Sequence, residues 1–306
     1  MHRRLGVLAA LALSLGIAQP AAAADKIKVG FITKFPVDFF FILENAAKAY
    51  AAKNPDVELV TGQGASATDV EGQIALIESM IAKGVKGIAI MPVDPSVAPA
   101  LDKAVDAGIK VVLVDNDLPK WSRKTSVVAT DNFAGGVLAG KYLRTVLKDG
   151  DKIGVLEGVP GVPALDDRVK GMLEGLGDRK LTVAGKGGTG CAREKGVSVA
   201  EDILTANPDL KGIYAACGPP VIGAIQAIEN AKIAHDKFIL VGFDALPEEV
   251  KEIEAGRQDA SVAQFPAKMG ELGVDTVVKA VRGEKVAANV DTGTAMVTKE
   301  NAKNFK

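Results

Sequence analysis

Residues 87–115 read GIAIMPVDPSVAPALDKAVDAGIKVVLVD, one complete strand–helix–strand unit. Gly87–Met91 is a short apolar run closed by Pro92, the pattern of a strand buried on both faces. Ser96 to Ala107 follows with helical spacing and stops at Gly108, a residue suited to the left-handed turn that ends helices. Lys110–Asp115 is a second apolar, β-branched strand, and it ends on a carboxylate. Helices of this length between such strands imply parallel pairing, with both faces of the sheet covered.

The rhythm extends in both directions. Upstream, Ile27–Thr33 is a strand, and Phe39–Asn54 is a helix with Asp38 placed to cap it. Val57–Thr61 is a strand, and Thr68 or Asp69 caps a helix running to Lys83. Downstream, strand Ser126–Thr130 leads into a second block of helix Phe133–Leu147, strand Lys152–Glu157, helix Ala164–Leu176 and strand Leu181–Ala184. Helix Arg193–Ala206, strand Gly212–Ala216, helix Pro220–Ala231 and strand Phe238–Phe243 follow, then helix Pro247–Ala255, strand Asp259–Gln264 and helix Ala267–Arg282. About ten strands in two successive blocks predict an α/β chain of two similar doubly wound domains.

Residues 1–24 have the three-part layout of a secretory signal peptide: Arg3 and Arg4, an uncharged apolar core from Leu5 to Ala18, and small residues ending in Ala22-x-Ala24. The core is too short for the roughly 20 apolar residues that span a bilayer. Export is therefore expected, and with it a mature chain of 35 basic against 38 acidic residues, a net charge of −3. That balance argues against a nucleic-acid partner. Of two histidines, His2 leaves with the leader and His235 stands alone, so neither a metal site nor a Ser/His/Asp triad is expected.

Ligands of open parallel sheets bind beyond the carboxyl ends of the strands. The polar residues there are Thr33 to Asp38, Asp94, Asp115-Asn116, Thr130-Asp131-Asn132, Glu157 to Arg168, Cys217, Asp244 and Gln264. No Gly-x-Gly-x-x-Gly follows the first strand, and the glycines of 158–161 and 185–190 read as loop glycines, so no nucleotide cofactor is expected. Phe39, Phe40 and Phe41 turn about 100° per residue on a helix and cannot all face one core. They offer either a stacking platform for a sugar ring or a cap on the core. Asp115, Asp244 and Arg168 suit bidentate bonds to neighbouring hydroxyls. The alternatives are a helix cap for Asp244 and, for Arg168, a surface ion pair within Asp166-Asp167-Arg168.

These residues resemble those of the periplasmic sugar-binding proteins of the ribose/galactose class, the receptors of ABC-type importers. The resembling segments are Asp38-Phe39-Phe40, Gly87–Asp94, Lys110–Asp115, Ala129–Asn132 with Gly135-Gly136, and Arg168 with Gly171. Gly223-Ala224, Gly242-Phe243-Asp244 and Ala263-Gln264 continue it, in order across roughly 26–290. The resemblance implies a type I periplasmic binding protein: two lobes joined by three crossing strands near Thr130, Gln264 and Asp291. The lobes would be 25–130 plus 265–291, and 131–264 plus 292–306. Ligand positions map onto Asp38, Phe39 and Phe40, Asp115, Asn116, Asn132, Arg168, Cys217, Asp244 and Gln264.

The chain departs from that pattern at one position of the first lobe and two of the second. Asn116 replaces an Arg common after the strand-end Asp, Cys217-Gly218-Pro219-Pro220 replaces an Asn-Asp pair, and Cys191 replaces an aromatic. The resemblance thus brings both cysteines to adjacent cleft positions, where they form a disulfide or two small buried hydrophobes. A lost ring and a lost amide point away from a glucose-like pyranose.

The implied protein is a monomeric, periplasmic solute receptor that takes a small polyhydroxylated ligand and delivers it to a membrane permease, with a chemoreceptor as a second class of partner. A receptor for a non-sugar signalling molecule is the alternative. An enzyme would need a nucleophile, base or cofactor site beyond isolated carboxylates. Asp115→Ala and Arg168→Ala are each expected to abolish tight binding with little loss of fold stability.

Overall fold

A computed structural model describes residues 26–305; residues 1–24, where a leader is expected, lie outside the described residues. The first block comprises β1 (Ile27–Thr33), α1 (Asp38–Lys53), β2 (Val57–Gln63), α2 (Val70–Ala82), β3 (Gly87–Ile90), α3 (Ala98–Asp106), β4 (Lys110–Val114) and β5 (Ser126–Ala129). The second opens with α4 (Asn132–Val146), β6 (Lys152–Glu157), α5 (Pro163–Leu176), β7 (Thr182–Gly188) and α6 (Arg193–Ala206). It continues through β8 (Gly212–Ala215), α7 (Gly218–Asn230), β9 (Ile239–Asp244), α8 (Pro247–Ala255) and β10 (Ala260–Ala263). Then come α9 (Pro266–Val281), β11 (Asn289–Asp291), β12 (Ala295–Thr298) and a short 3-10 turn at Ala302–Phe305.

Two six-stranded sheets result, ordered β11-β5-β4-β3-β1-β2 and β12-β10-β9-β8-β6-β7. Pairing is parallel except at the edge strand β12, which runs antiparallel to β10. The unbroken apolar strands now have their reason. In β4, Val111 and Leu113 join the core on one face while Val112 and Val114 join the core on the other. In β8, Ile213 and Ala215 divide from Tyr214 in the same way.

The chain passes between sheets after β5, after β10 and after β11. Two of these passages are tied together: Thr292 N–H donates to the Ala129 carbonyl at 3.0 Å, and Thr130 and Thr292 hydroxyls lie 3.4 Å apart. Helices α4 and α5 pack backbone to backbone. A Cβ on Gly140 would lie 2.0 Å from the Met172 carbonyl oxygen, and one on Gly171 would lie 2.1 Å from that of Phe133. Only glycine permits that approach, and it sets α5 deep enough to carry Arg168 into the interior.

Two local expectations are corrected. Asp38 does not cap α1: it is the first helical residue, the cap position is Val37, and no side chain bonds there. Gly185, Gly187 and Gly188 are strand residues of β7 rather than loop glycines, and only Gly190 of that run has positive φ, at 60°. β7 is an edge strand, and a Cβ on Gly187 would meet Val199 of α6 at 2.7 Å, so close helix packing explains the glycine.

Candidate functional site

Between the two sheets, beyond their strand ends, lies a cleft with an inner cavity of about 90 Å³. A buried water needs roughly 10–15 Å³ on this measure, so the space suits a ligand the size of one monosaccharide. The first sheet contributes Lys34 and Phe35 after β1, Val93 after β3, and Asp115 and Asn116 after β4, with Phe39 and Phe40 from α1. The second contributes Arg168, Cys191, Cys217, Asp244 and Gln264.

Phe39 and Phe40 are buried, with rings edge-to-face at 5.3 Å, and Phe35 packs against Phe40 at 5.2 Å. Phe41 instead is exposed. Asp115 leaves β4 with φ 65°, and its carboxylate accepts from Lys34 Nζ at 3.0 Å. The same ammonium lies 5.6 Å from the Phe40 ring centre. Asn116 turns its amide to the Pro92 carbonyl at 3.4 Å.

Opposite, Asp244 ends β9 with φ 103°. Its Oδ1 accepts from Gln264 Nε2 at 2.6 Å and Arg168 Nη1 at 3.2 Å, and Oδ2 accepts from Gly218 N–H at 3.0 Å. Burial raises its carboxyl above the ordinary range, while the Arg168 charge pulls the other way. Arg168 is itself the hub of this side. Nε donates to Asn132 Oδ1 at 2.8 Å, Nη1 donates to the Ala216 carbonyl at 2.8 Å, and the guanidinium stacks 4.0 Å from the Phe243 ring centre. Gln264 Oε1 is buried and has no hydrogen-bond partner among the described residues.

The turn that aims Asp244 is braced from beneath. Ala245, also left-handed at φ 47°, donates its N–H to Ser261 Oγ at 3.1 Å. Ser261 Oγ donates to Glu249 Oε1 at 2.7 Å, and Glu249 Oε2 accepts from Leu246 N–H at 3.1 Å. Burial, reinforced by the Asp244 charge, pushes the Glu249 carboxyl up to about 8.

Cys191 and Cys217 form a disulfide with Cα atoms 5.8 Å apart. It joins the loop after β7 to the start of α7 and lies in the cleft lining. Of the positions marked from sequence, Phe39, Phe40, Asp115, Asn116, Arg168, Cys217, Asp244 and Gln264 line the cleft. Asn132 sits behind Arg168 rather than in the lining, and Asp38 is exposed outside it. Sequence reasoning did not single out Lys34, Leu246 or Glu249. The strand-end rule alone finds Lys34, which directly follows β1; Glu249 gave no signal, since a Glu in a helix's first turn ordinarily faces water.

Two doubly wound lobes with a cleft at their strand ends define a type I periplasmic binding protein fold. The chain belongs to that family: the periplasmic binding protein domain matches residues 29–285. The ribose import binding protein of Escherichia coli (strain K12) is 29% identical over 302 residues, 98% of this chain and 99% of its own length. The D-ribose/D-allose-binding protein of Pseudomonas aeruginosa is 32% identical over 272 residues, 86% of this chain and 85% of its own. An ABC transporter solute-binding protein of Mycobacterium smegmatis, solved with bound glycerol, superposes with a TM-score of 0.84 at 34% identity, covering 91% of this chain and 96% of that one.

Proposed function

We propose that this protein is the periplasmic receptor of an ABC-type importer, binding a small sugar or sugar alcohol between its lobes and releasing it to the membrane permease. The observation that carries this is the convergence of Asp115, Asp244, Arg168 and Gln264 on a cleft beside the Phe39–Phe40 pair. Carboxylates and a guanidinium fixed by their neighbours bind hydroxyls, and the aromatic faces cover C–H surface. Gln264 Oε1 waits for a donor, which a ligand hydroxyl supplies. The ligand names of the relatives, from ribose and allose to glycerol, favour a compact polyol.

The lobes are 25–130 plus 265–291 and 131–264 plus 292–306, and they close as bodies about the three passages. The work is binding and release without turnover, and affinity includes the free energy of closure. The receptor acts as a monomer exported by its leader.

A thermal-shift screen of the ligand-free protein against pentoses, hexoses, deoxy sugars and polyols tests this. At 100 times its dissociation constant a true ligand adds about 2.7 kcal/mol. Stabilisation by a few stereoisomers is expected; a flat response across the panel contradicts the proposal.

A further inference from the structure

In the second sheet the order β10-β9-β8-β6-β7 runs outward from the strands that adjoin the passages. Apart from Arg168, which reaches back from α5 to Asp244, the cleft residues change along it from polar to apolar. Gln264 follows β10 and Asp244 ends β9, but Cys217 follows β8, Val159 and Leu165 follow β6, and Cys191 follows β7. Three separate devices remove hydrogen-bond donors from this outer wall.

The disulfide takes both thiol protons. In the first turn of α7, Pro219 and Pro220 have no N–H to give, and the amide before them, Gly218 N–H, is held by Asp244 at 3.0 Å. The loop after β7 bonds to itself and its neighbour. Thr189 and Gly190 N–H groups donate to the Gly158 carbonyl at 3.2 and 3.1 Å, and Ala192 N–H donates to the Thr189 carbonyl at 3.1 Å. Cys191 N–H donates to Thr189 Oγ1 at 3.3 Å. Across the cleft, the Lys34 ammonium, which follows β1, is drawn toward the passages by Asp115 after β4.

Resting on the reading of the cleft as a sugar or polyol site, we propose that the ligand meets the disulfide wall with carbon bearing no hydroxyl. The ligand class is a sugar or sugar alcohol deoxygenated at the end remote from the hinge. A hydroxyl placed there loses its water and finds no free N–H or thiol to bond with, which weakens binding about tenfold to a hundredfold. A methyl or methylene there instead packs on sulfur, Val159 and Leu165.

Calorimetric titration of the purified protein, disulfide intact, with matched pairs provides the test: D-fucose against D-galactose, 6-deoxy-D-allose against D-allose, and 5-deoxy-D-ribose against D-ribose. In pairs that bind, the deoxy member is expected to bind at least tenfold tighter. Val159→Asn and Leu165→Gln, which put an amide into the wall and leave Asp115, Asp244 and Arg168 in place, are expected to narrow that ratio severalfold. Equal or tighter binding of the hydroxylated member by the unmodified protein overturns the inference while the receptor reading stands. An unchanged ratio in both folded variants overturns the wall's role. No binding by any pair overturns the inference, and the wider panel above then judges the receptor reading by itself.

Discussion

Asp115 and Asp244 supply the negative charge of the cleft, and they are held differently. Asp115 has one charged partner, Lys34, at 3.0 Å. Asp115→Asn is expected to weaken ligand binding about tenfold to a hundredfold, the worth of a hydrogen bond to a charged group, with the melting temperature little changed. Titration calorimetry beside a thermal melt checks both. Asp244 and Arg168 belong to a buried network, so the expectation that Arg168→Ala leaves the fold intact is revised. That substitution abandons Asp244, Asn132 and the Ala216 carbonyl, and removing one partner of a buried pair costs about 3–5 kcal/mol. Chemical denaturation of Arg168→Ala reads this; unchanged stability would sink the network account. Glu249 adds a pH signature. Its carboxyl is raised from 4.5 to about 8, so between those values the folded state holds a proton that the unfolded state releases. Stability from this group is full below about pH 4.5 and falls as pH rises toward 8, by up to about 1.4 kcal/mol per unit. Glu249→Gln is expected to flatten that slope; parallel pH profiles for both proteins would contradict it.

At the scale of elements, the strands were the most legible, because burial on both faces leaves a continuous apolar run. Lys152–Glu157 needed no adjustment at either end. β7 was legible only in part, since its glycines carry no β signal and serve the close approach of α6. β12 was hidden because it is a four-residue edge strand that pairs with only one neighbour, leaving little pattern to read. The glycine seam of α4 and α5 yields a prediction here. Gly140→Leu drives a side chain into the Met172 carbonyl and is expected to destabilise by several kcal/mol, seen as a large fall in melting temperature. A near-native melt would mean the helices can part without loss. The disulfide closes a loop of 26 residues, worth roughly 3–4 kcal/mol in the chain-entropy model. Thiol titration of the denatured, unreduced protein should find no free thiol, and two free thiols would contradict the bond.

For the molecule as a whole, the strand-end rule pointed to the cleft from sequence, and family resemblance marked its charged residues and the Phe39–Phe40 pair but few of its apolar ones. What escaped was the second tier: the pairing of Lys34 with Asp115, the Glu249–Ser261 brace, and the bond by which Asn132 holds Arg168. Those depend on residues distant in sequence meeting in space, which no local pattern records. Two lobes tied by three passages should close on ligand, so the radius of gyration from solution scattering is expected to fall on saturation. The most direct test of the central claim is a calorimetric titration of the best ligand from the panel into the unmodified protein and into Asp115→Asn. One ligand per chain, with affinity reduced at least tenfold in the variant, is the predicted result. Equal affinity in the two proteins would contradict the assignment of the cleft as the binding site.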